Sequence, residues 1–321
     1  MRHCLLLALL TAAGAAVCSP VITVRDDAGD LVILDRPAQR VISLAPHATE
    51  MLFAAGAGNA VIATVARSDW PPEARALPQV GDANALDLER IMMLEPDLVI
   101  AWPYTAPSHL AALRRRNVRV FMSDPKTIPG IAENMERLAA LTGTSAVATA
   151  RIAAVHAQHA ALRSRYQSRP SLRVFYEVWN EPLYTIGGRH LITEAIRLCG
   201  GENVFASLRL PAPSVTVEAV VAARPDVIVG GDDDGRRPLW LDNWNRWKSI
   251  PAVRDGNLFA ADGNLLHRPG PRFLEGVEAL CRDMDQARAK RRALTQEGMP
   301  SRAGAVPPPA PDRTAPTAKG P

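Results

Sequence analysis

The strongest constraint in this sequence is a repeat inside it. Residues 88–100 read Leu-Glu-Arg-Ile-Met-Met-Leu-Glu-Pro-Asp-Leu-Val-Ile, and residues 217–229 read Val-Glu-Ala-Val-Val-Ala-Ala-Arg-Pro-Asp-Val-Ile-Val. Aligned without a gap, both give an apolar residue and a glutamate, a short helical pattern, Pro-Asp, and an apolar run. Proline disfavours the helical region for the residue before it, so Pro96 and Pro225 punctuate helix ends. The runs that follow are short and β-branched, which suits strands buried on both faces. A helix feeding such a strand is half of a βαβ unit. Two copies imply two similar lobes, a repeat on the scale of a domain rather than a solenoid period. The fold class expected is therefore α/β, with two Rossmann-like lobes built on parallel sheets.

The rest of the chain fits this scheme. Val21–Val24 and Leu31–Leu34 flank the turn composition Asp26-Asp27-Ala28-Gly29 and read as a small hairpin. Strands at 41–44, 61–65, 98–101 and 118–122 then alternate with helical patterns, the signature of a parallel sheet. A helix containing Ile131, Met135 and Leu138 stops at Gly143. The next carries Ala148, Ile152, Val155, His159, Leu162 and Tyr166 at spacings of three and four, one buried stripe of a long helix. From Ser145 to Gln167 it would span roughly 34 Å, enough to join two lobes. A second set follows: a strand over 174–179, a helix over 191–199 stopped by Gly200-Gly201, the second copy of the repeat, a strand over 258–261 and a helix from Phe273 to Lys290. Trp240, Trp244 and Trp247 fall on one helical face and read as core. The expected organisation is a signal peptide over 1–18, an N-terminal lobe over 21–143, a backbone helix over 144–168, a C-terminal lobe over 169–297, and a disordered tail over 298–321, where seven of twenty-four residues are proline.

With 47% apolar residues the chain can build two cores. The formal charge of +4 overstates its basicity, because Arg2 contributes one unit and the tail from Gly298 two more. Near neutrality, and without a basic run interleaved with aromatics, it is expected to have no nucleic-acid partner. Arg2 and His3, the apolar run from Leu5 to Leu10, and Ala13-Gly14-Ala15-Ala16 make a secretory signal, so the protein is expected in the periplasm. Cys18 offers a site for a lipid anchor, but Val17 before it is bulky where that processing favours a small residue, so release without lipid is expected. Past the signal only Cys199 and Cys281 remain, and an even count in an exported chain predicts a disulfide between them.

No P-loop, HExxH or GxSxG motif is present. Gly56-Ala57-Gly58 follows a helix rather than a strand and reads as a turn, not a dinucleotide site. Asp232-Asp233-Asp234-Gly235 lacks the spacing of a calcium loop. No nucleophile and base stand together, so no catalytic residue, metal or cofactor is expected. Ligands of open α/β sheets sit beyond the carboxyl ends of the strands. Pro46-His47, Trp70, Trp102-Pro103-Tyr104, Tyr184 and the segment from Asp262 to Arg268 follow predicted strands or lie in loops there. Tryptophan and tyrosine give large rigid surfaces with a polar handle, which suits a flat apolar ligand.

Several of these segments resemble a known family. Val41-Ile42-Ser43-Leu44-Ala45-Pro46 through Thr49-Glu50, Ser68-Asp69-Trp70-Pro71-Pro72, the first copy of the repeat through Trp102, and Cys199-Gly200-Gly201-Glu202-Asn203-Val204-Phe205 are similar to periplasmic substrate-binding proteins of the helical-backbone class, within it most of all to the cobalamin-binding branch. The resemblance covers roughly residues 40 to 290. It implies a non-enzymatic, monomeric protein that captures a corrinoid, cobalamin or cobinamide, and delivers it to the permease dimer of an inner-membrane ABC importer. It places Trp70, Trp102, Tyr184, Asp262, Arg268 and His47 at the ligand. Glu89 and Glu218, equivalent in the two copies, would dock one lobe each onto the permease. Ala83 and Ala212 stand where that branch has tryptophans. The same architecture serves haem and ferric siderophores, with His47 then a candidate metal ligand. An enzyme subunit on the same two-lobed fold is a second alternative, but two cysteines fall short of the about four thiolates a metal cluster needs.

Overall fold

The computed structural model describes residues 21–82, 85–232 and 236–297. The expected signal peptide with Cys18, the proline-rich tail, Ala83 and most of the Asp232–Gly235 turn lie outside them. β1 (Ile22–Arg25) and β2 (Leu31–Leu34) pair as the expected hairpin. The first lobe is a four-stranded parallel sheet made of β3 (Val41–Ser43), β4 (Val61–Ala63), β5 (Leu98–Ala101) and β6 (Arg119–Met122), in the order β4-β3-β5-β6. Parallel neighbours need crossovers. Here α1 (Pro46–Ala54), α2 (Leu88–Met93) and α3 (Pro107–Arg115) lie between the strands, and α4 (Ile128–Thr142) follows the last. Both sheet faces are therefore covered. Val41, Leu98 and Ile100 pack with Met51, Leu52, Ile131 and Met135, while Ile42, Val99 and Val120 pack with Ile91, Leu110 and Leu113.

Gly143 closes α4 in the left-handed conformation (φ 72°), which glycine adopts without a Cβ penalty. α5 (Ser145–Tyr166) then runs about 33 Å at 1.5 Å per residue. Ala148, Val155, Leu162 and Tyr166 are buried along it, and Ile152 and His159 half-buried, as the spacing predicts. It packs on α4 of the first lobe and on two helices of the second, α6 (Leu191–Leu198) and α10 (Phe273–Glu297).

The second lobe holds β7 (Leu172–Asn180), β8 (Leu183–Thr185), β9 (Gly201–Asn203), β10 (Val227–Asp232) and β11 (Leu258–Asp262). Their order is β11-β10-β7-β8, with β9 also on β7. The sheet is parallel, as expected, except for its edge strand: β8 runs antiparallel to β7. The two residues Glu181 and Pro182 turn the chain straight back, and a hairpin of that length joins only antiparallel strands. α7 (Val217–Ala223), α8 (Pro251–Arg254) and the short α9 (Gly263–Leu266) complete the lobe. Trp244 is buried and Trp240 and Trp247 half-buried against Phe175, Val220 and Ile228, so the stripe is core, although its helix is a 3-10 segment.

The repeat has a physical cause beyond helix punctuation. In the first copy the Asp97 carboxylate accepts the amides of Gln39 (2.8 Å) and Arg40 (3.0 Å), while its own amide donates to the Arg40 carbonyl (3.0 Å). In the second, Asp226 accepts the Arg173 amide (2.9 Å) and donates to the Arg173 carbonyl (2.8 Å). Each arginine in turn donates to the carbonyl two residues before the proline, Arg40 to Leu94 and Arg173 to Ala223. The residue before each proline, Glu95 and Arg224, leaves the helix in the left-handed region at φ 45° and 44°. That conformation costs a residue with a side chain roughly 1–2 kcal/mol. The Asp–Arg clamp holds it and ties the helix end to the start of the central strand in both lobes, with one more amide bound in the first.

Two links cross between the lobes where the carboxyl ends of the sheets meet. Glu50 of α1, with 3% of its side chain exposed, accepts from Arg268 (3.3 Å) and twice from Arg272 (2.7 and 3.0 Å). Arg268 also binds Asp69 at 2.6 Å. At the other link, Glu194 of α6 accepts the Ile128 amide at the start of α4 (3.0 Å). Within the second lobe the Cys199–Cys281 disulfide joins the end of α6 to α10. Arg288, 2% exposed, donates to the carbonyls of Cys199 (2.6 Å) and Gly200 (3.0 Å) beside it.

Peptide mapping without reductant should recover Cys199 and Cys281 in one cross-linked species. The Cys199→Ala/Cys281→Ala protein should lose roughly 2–5 kcal/mol in urea unfolding, because the bridge closes a long loop of the unfolded chain. Glu50→Ala strips a buried carboxylate from two guanidinium groups and should cost about 3 kcal/mol. A wild-type unfolding midpoint in Glu50→Ala would show that the seam adds nothing.

Candidate functional site

In the first lobe the chain passes from β3 to β4 on one side and returns to β5 on the other, so the topological switch point lies between β3 and β5. The segments that leave these two strands carry His47 and Trp102. Pro46 opens α1 at a position where a missing amide costs nothing, and His47 follows inside the first turn. His47 is 2% exposed. The Ser123 hydroxyl donates to Asn134 (3.1 Å), so the His47 Nε2 proton points at the Ser123 hydroxyl (3.2 Å) and carbonyl (3.3 Å). Burial lowers its pKa to about 4 against the opposing pull of the Ser123 bond, so the ring is neutral. Its ring centroid lies 5.6 Å from that of Trp102, which meets Tyr104 edge-on at 4.7 Å. His47 therefore supports Trp102 from the interior and is not offered to the cleft. Trp102 is half-buried and Tyr104 is 62% exposed.

Trp70 belongs to the seam. The Arg272 guanidinium lies 4.4 Å from its ring centroid, a cation–π contact, while the same group binds Glu50. A depression of about 400 Å³ beside it is lined by Phe53, Trp70, Arg151 and Arg272 among others. Arg268 is committed to the same cluster through Glu50, Asp69 and Asn264. Burial alone would lower its pKa, but the bond to Asp69 outweighs that and holds it above the ordinary value. Asp69 is held below its usual range, because the Arg268 bond overcomes partial burial. Asp262 caps α9, accepting the Asn264 amide at 2.8 Å, and is exposed.

In the second lobe the switch point falls between β7 and β10. Trp179 and Tyr184 are cross-strand partners at the end of β7. Beneath them Glu177 is buried, accepting the Trp244 indole proton at 2.6 Å. Burial raises its pKa to about 7 despite that bond. Tyr184 is 36% exposed.

Trp102 thus sits at the switch point of the first lobe and Tyr184 on the edge strand β8 beside the end of β7, Trp70 and Arg268 in the seam, His47 behind Trp102, and Asp262 at a helix cap. Glu89 and Glu218 lie apart from all of these. Both are exposed in the first turns of α2 and α7, under the N-caps Asp87 and Thr216. Glu50 and Arg272 were missed by sequence reasoning. A Thr-Glu pair at a helix start reads as a surface acid, and the only hint was that Ala48, Met51 and Leu52 around it are apolar.

Residues 41–265 match a family model described as periplasmic binding protein. The chain is 34% identical over 267 residues to the vitamin B12-binding protein of Vibrio parahaemolyticus serotype O3:K6, covering 81% of this chain and 94% of that one. It superposes on the crystal structure of the periplasmic vitamin B12 binding protein BtuF of Vibrio cholerae with a TM-score of 0.72 at 35% identity, over 78% of this chain and 98% of that one. The periplasmic heme-binding protein RhuT from Roseiflexus sp. RS-1, in apo form, gives a TM-score of 0.68 at 26% identity, over 78% of this chain and 99% of that one. Two α/β lobes on one long helix agree with these matches: the chain belongs to the periplasmic binding protein family.

Proposed function

We propose that this protein, exported by the signal peptide over residues 1–18 and free of a lipid anchor, captures a corrinoid between its lobes and hands it to an ABC importer of the inner membrane. The observation that carries this reading is 34% identity, across 81% of the chain, to a protein named for vitamin B12. The site geometry agrees with it. Trp102 and Tyr104 from the first lobe and Tyr184 from the second supply flat apolar surface, with hydroxyl groups for the amide fringe of a corrin. Trp70 adds a ring at the flank. Of the polar residues expected at the ligand, Asp262 stands exposed at the mouth, while His47 and Arg268 act through Trp102 and the seam.

A haem ligand is the second reading, supported by the likeness to RhuT. It would need an axial ligand other than His47, whose Nε2 is held by Ser123. The family and the relatives are binding proteins, so the enzyme reading has no support among them.

Glu89 and Glu218 fit the role of docking carboxylates, one per lobe, on a twofold permease. Their helix caps come from Asp87 and Thr216, so neither carboxylate is required as an N-cap. Charged rim pairs of this kind steer encounter and fix register more than they add affinity.

Protein purified from the periplasm should shift the visible spectra of cyanocobalamin and dicyanocobinamide and leave that of haemin unchanged. Trp102→Ala should weaken corrinoid binding by about 1–3 kcal/mol by titration calorimetry. Binding of haemin alone would overturn the corrinoid reading. The Glu89→Ala/Glu218→Ala protein should bind corrinoid normally and yet support less transport and less ATP hydrolysis by the importer, with the deficit relative to wild type largest at low salt and shrinking as salt screens the wild-type pairs. Normal transport by that variant would move the docking surface elsewhere.

A further inference from the structure

A single exposed tryptophan needs no explanation in a soluble protein. Trp179 differs in three respects. It is the penultimate residue of β7, the central strand of the second lobe, and borders the switch point with β10 from the β7 side, as Trp102 borders that of the first lobe from the β5 side. It is 55% exposed, whereas the other tryptophans of that lobe, Trp240, Trp244 and Trp247, all pack into the core. Its orientation is fixed without a ligand: the indole proton goes to the Glu181 carbonyl at 2.9 Å, and its cross-strand partner is Tyr184. Residues directly opposite in an antiparallel pair share a face, so Trp179 and Tyr184 form one aromatic strip. Tyr184 in turn bridges Ser214. Ala212, close along that segment, brings only a methyl group.

From this placement we infer that Trp179 is a ligand-contacting residue of the second lobe, which lies against the corrin macrocycle. The inference rests on the corrinoid reading above. A ring already held by its own hydrogen bond loses little freedom on contact, so its buried area is converted to affinity efficiently. Contact along the Trp179–Tyr184 strip would give the second lobe the aromatic surface that Ala212 does not provide.

Oxidation of tryptophans by N-bromosuccinimide, read by peptide mass spectrometry with and without saturating cyanocobalamin, tests this on the wild-type chain. Trp179 and Trp102 should be protected at least about fivefold, and Trp247 should react equally in both samples. Trp179→Ala should raise the Kd for cyanocobalamin roughly tenfold, the scale of losing an aromatic anchor, and Trp179→Phe should stay within about threefold of wild type. If the wild type binds cyanocobalamin but Trp179 reacts as fast with ligand as without, or if Trp179→Ala binds with wild-type affinity, this inference is overturned and the corrinoid reading stands. If the wild type binds no corrinoid, both fall together. Protection is measured on the unaltered protein, so a folding defect in Trp179→Ala leaves the test decisive.

Discussion

A carboxylate with 3% of its side chain exposed lies where the two lobes meet, and the relation between the lobes depends on it. Glu50 would be costly to bury alone, since an unpaired charge away from water loses its hydration without return. Arg268 and Arg272 supply that return from the opposite lobe, 218 and 222 positions along the chain. The same two arginines organise what surrounds them. Arg272 lies over Trp70 while it holds Glu50, and Arg268 reaches Asp69 and Asn264. A buried ion pair of this kind adds modest net stability but strongly penalises any arrangement that separates its members. It therefore specifies how the lobes sit more than how firmly each is folded.

Each lobe is defined separately by the Asp–Arg clamp around Asp97 and Asp226. The clamp ties the left-handed exit of a short helix to the beginning of the central strand, and so sets where β5 and β10 enter their sheets. From there the strand order places a switch point next to β3 in one lobe and β7 in the other. The aromatic residues stand at these two places because the chain must diverge there, which leaves room beyond the strand ends. Site position thus follows from topology, and topology from a motif visible twice in the sequence.

The polar residues of the site divide by burial. His47 is neutral and turned toward Ser123, and so serves Trp102. Arg268 is held by two carboxylates, and Asp262 by the helix it caps. What remains exposed around the mouth is chiefly ring surface: Tyr104, Trp179, Tyr184 and part of Trp70.

The sequence by itself determined the α/β class, the two lobes, the long connecting helix, the tryptophan core stripe and the cysteine pairing. These rest on periodicity, on proline and glycine punctuation, and on a cysteine count, all properties of short segments or of composition. It also pointed to Trp102 and Tyr184, because residues that follow strands can be located from local pattern alone. It did not show the antiparallel turn of β8, nor Glu50 and Arg272 as partners, nor that His47 and Arg268 are engaged within the protein. The ion cluster and the burial of His47 depend on which residues meet across 76 to 222 positions, and on which side chains burial then forces to find a partner; the β8 turn is local but carries no strong turn signal. Only the packed chain decides that, since a buried charge or imidazole is constrained by its neighbours in space and by nothing adjacent to it in sequence.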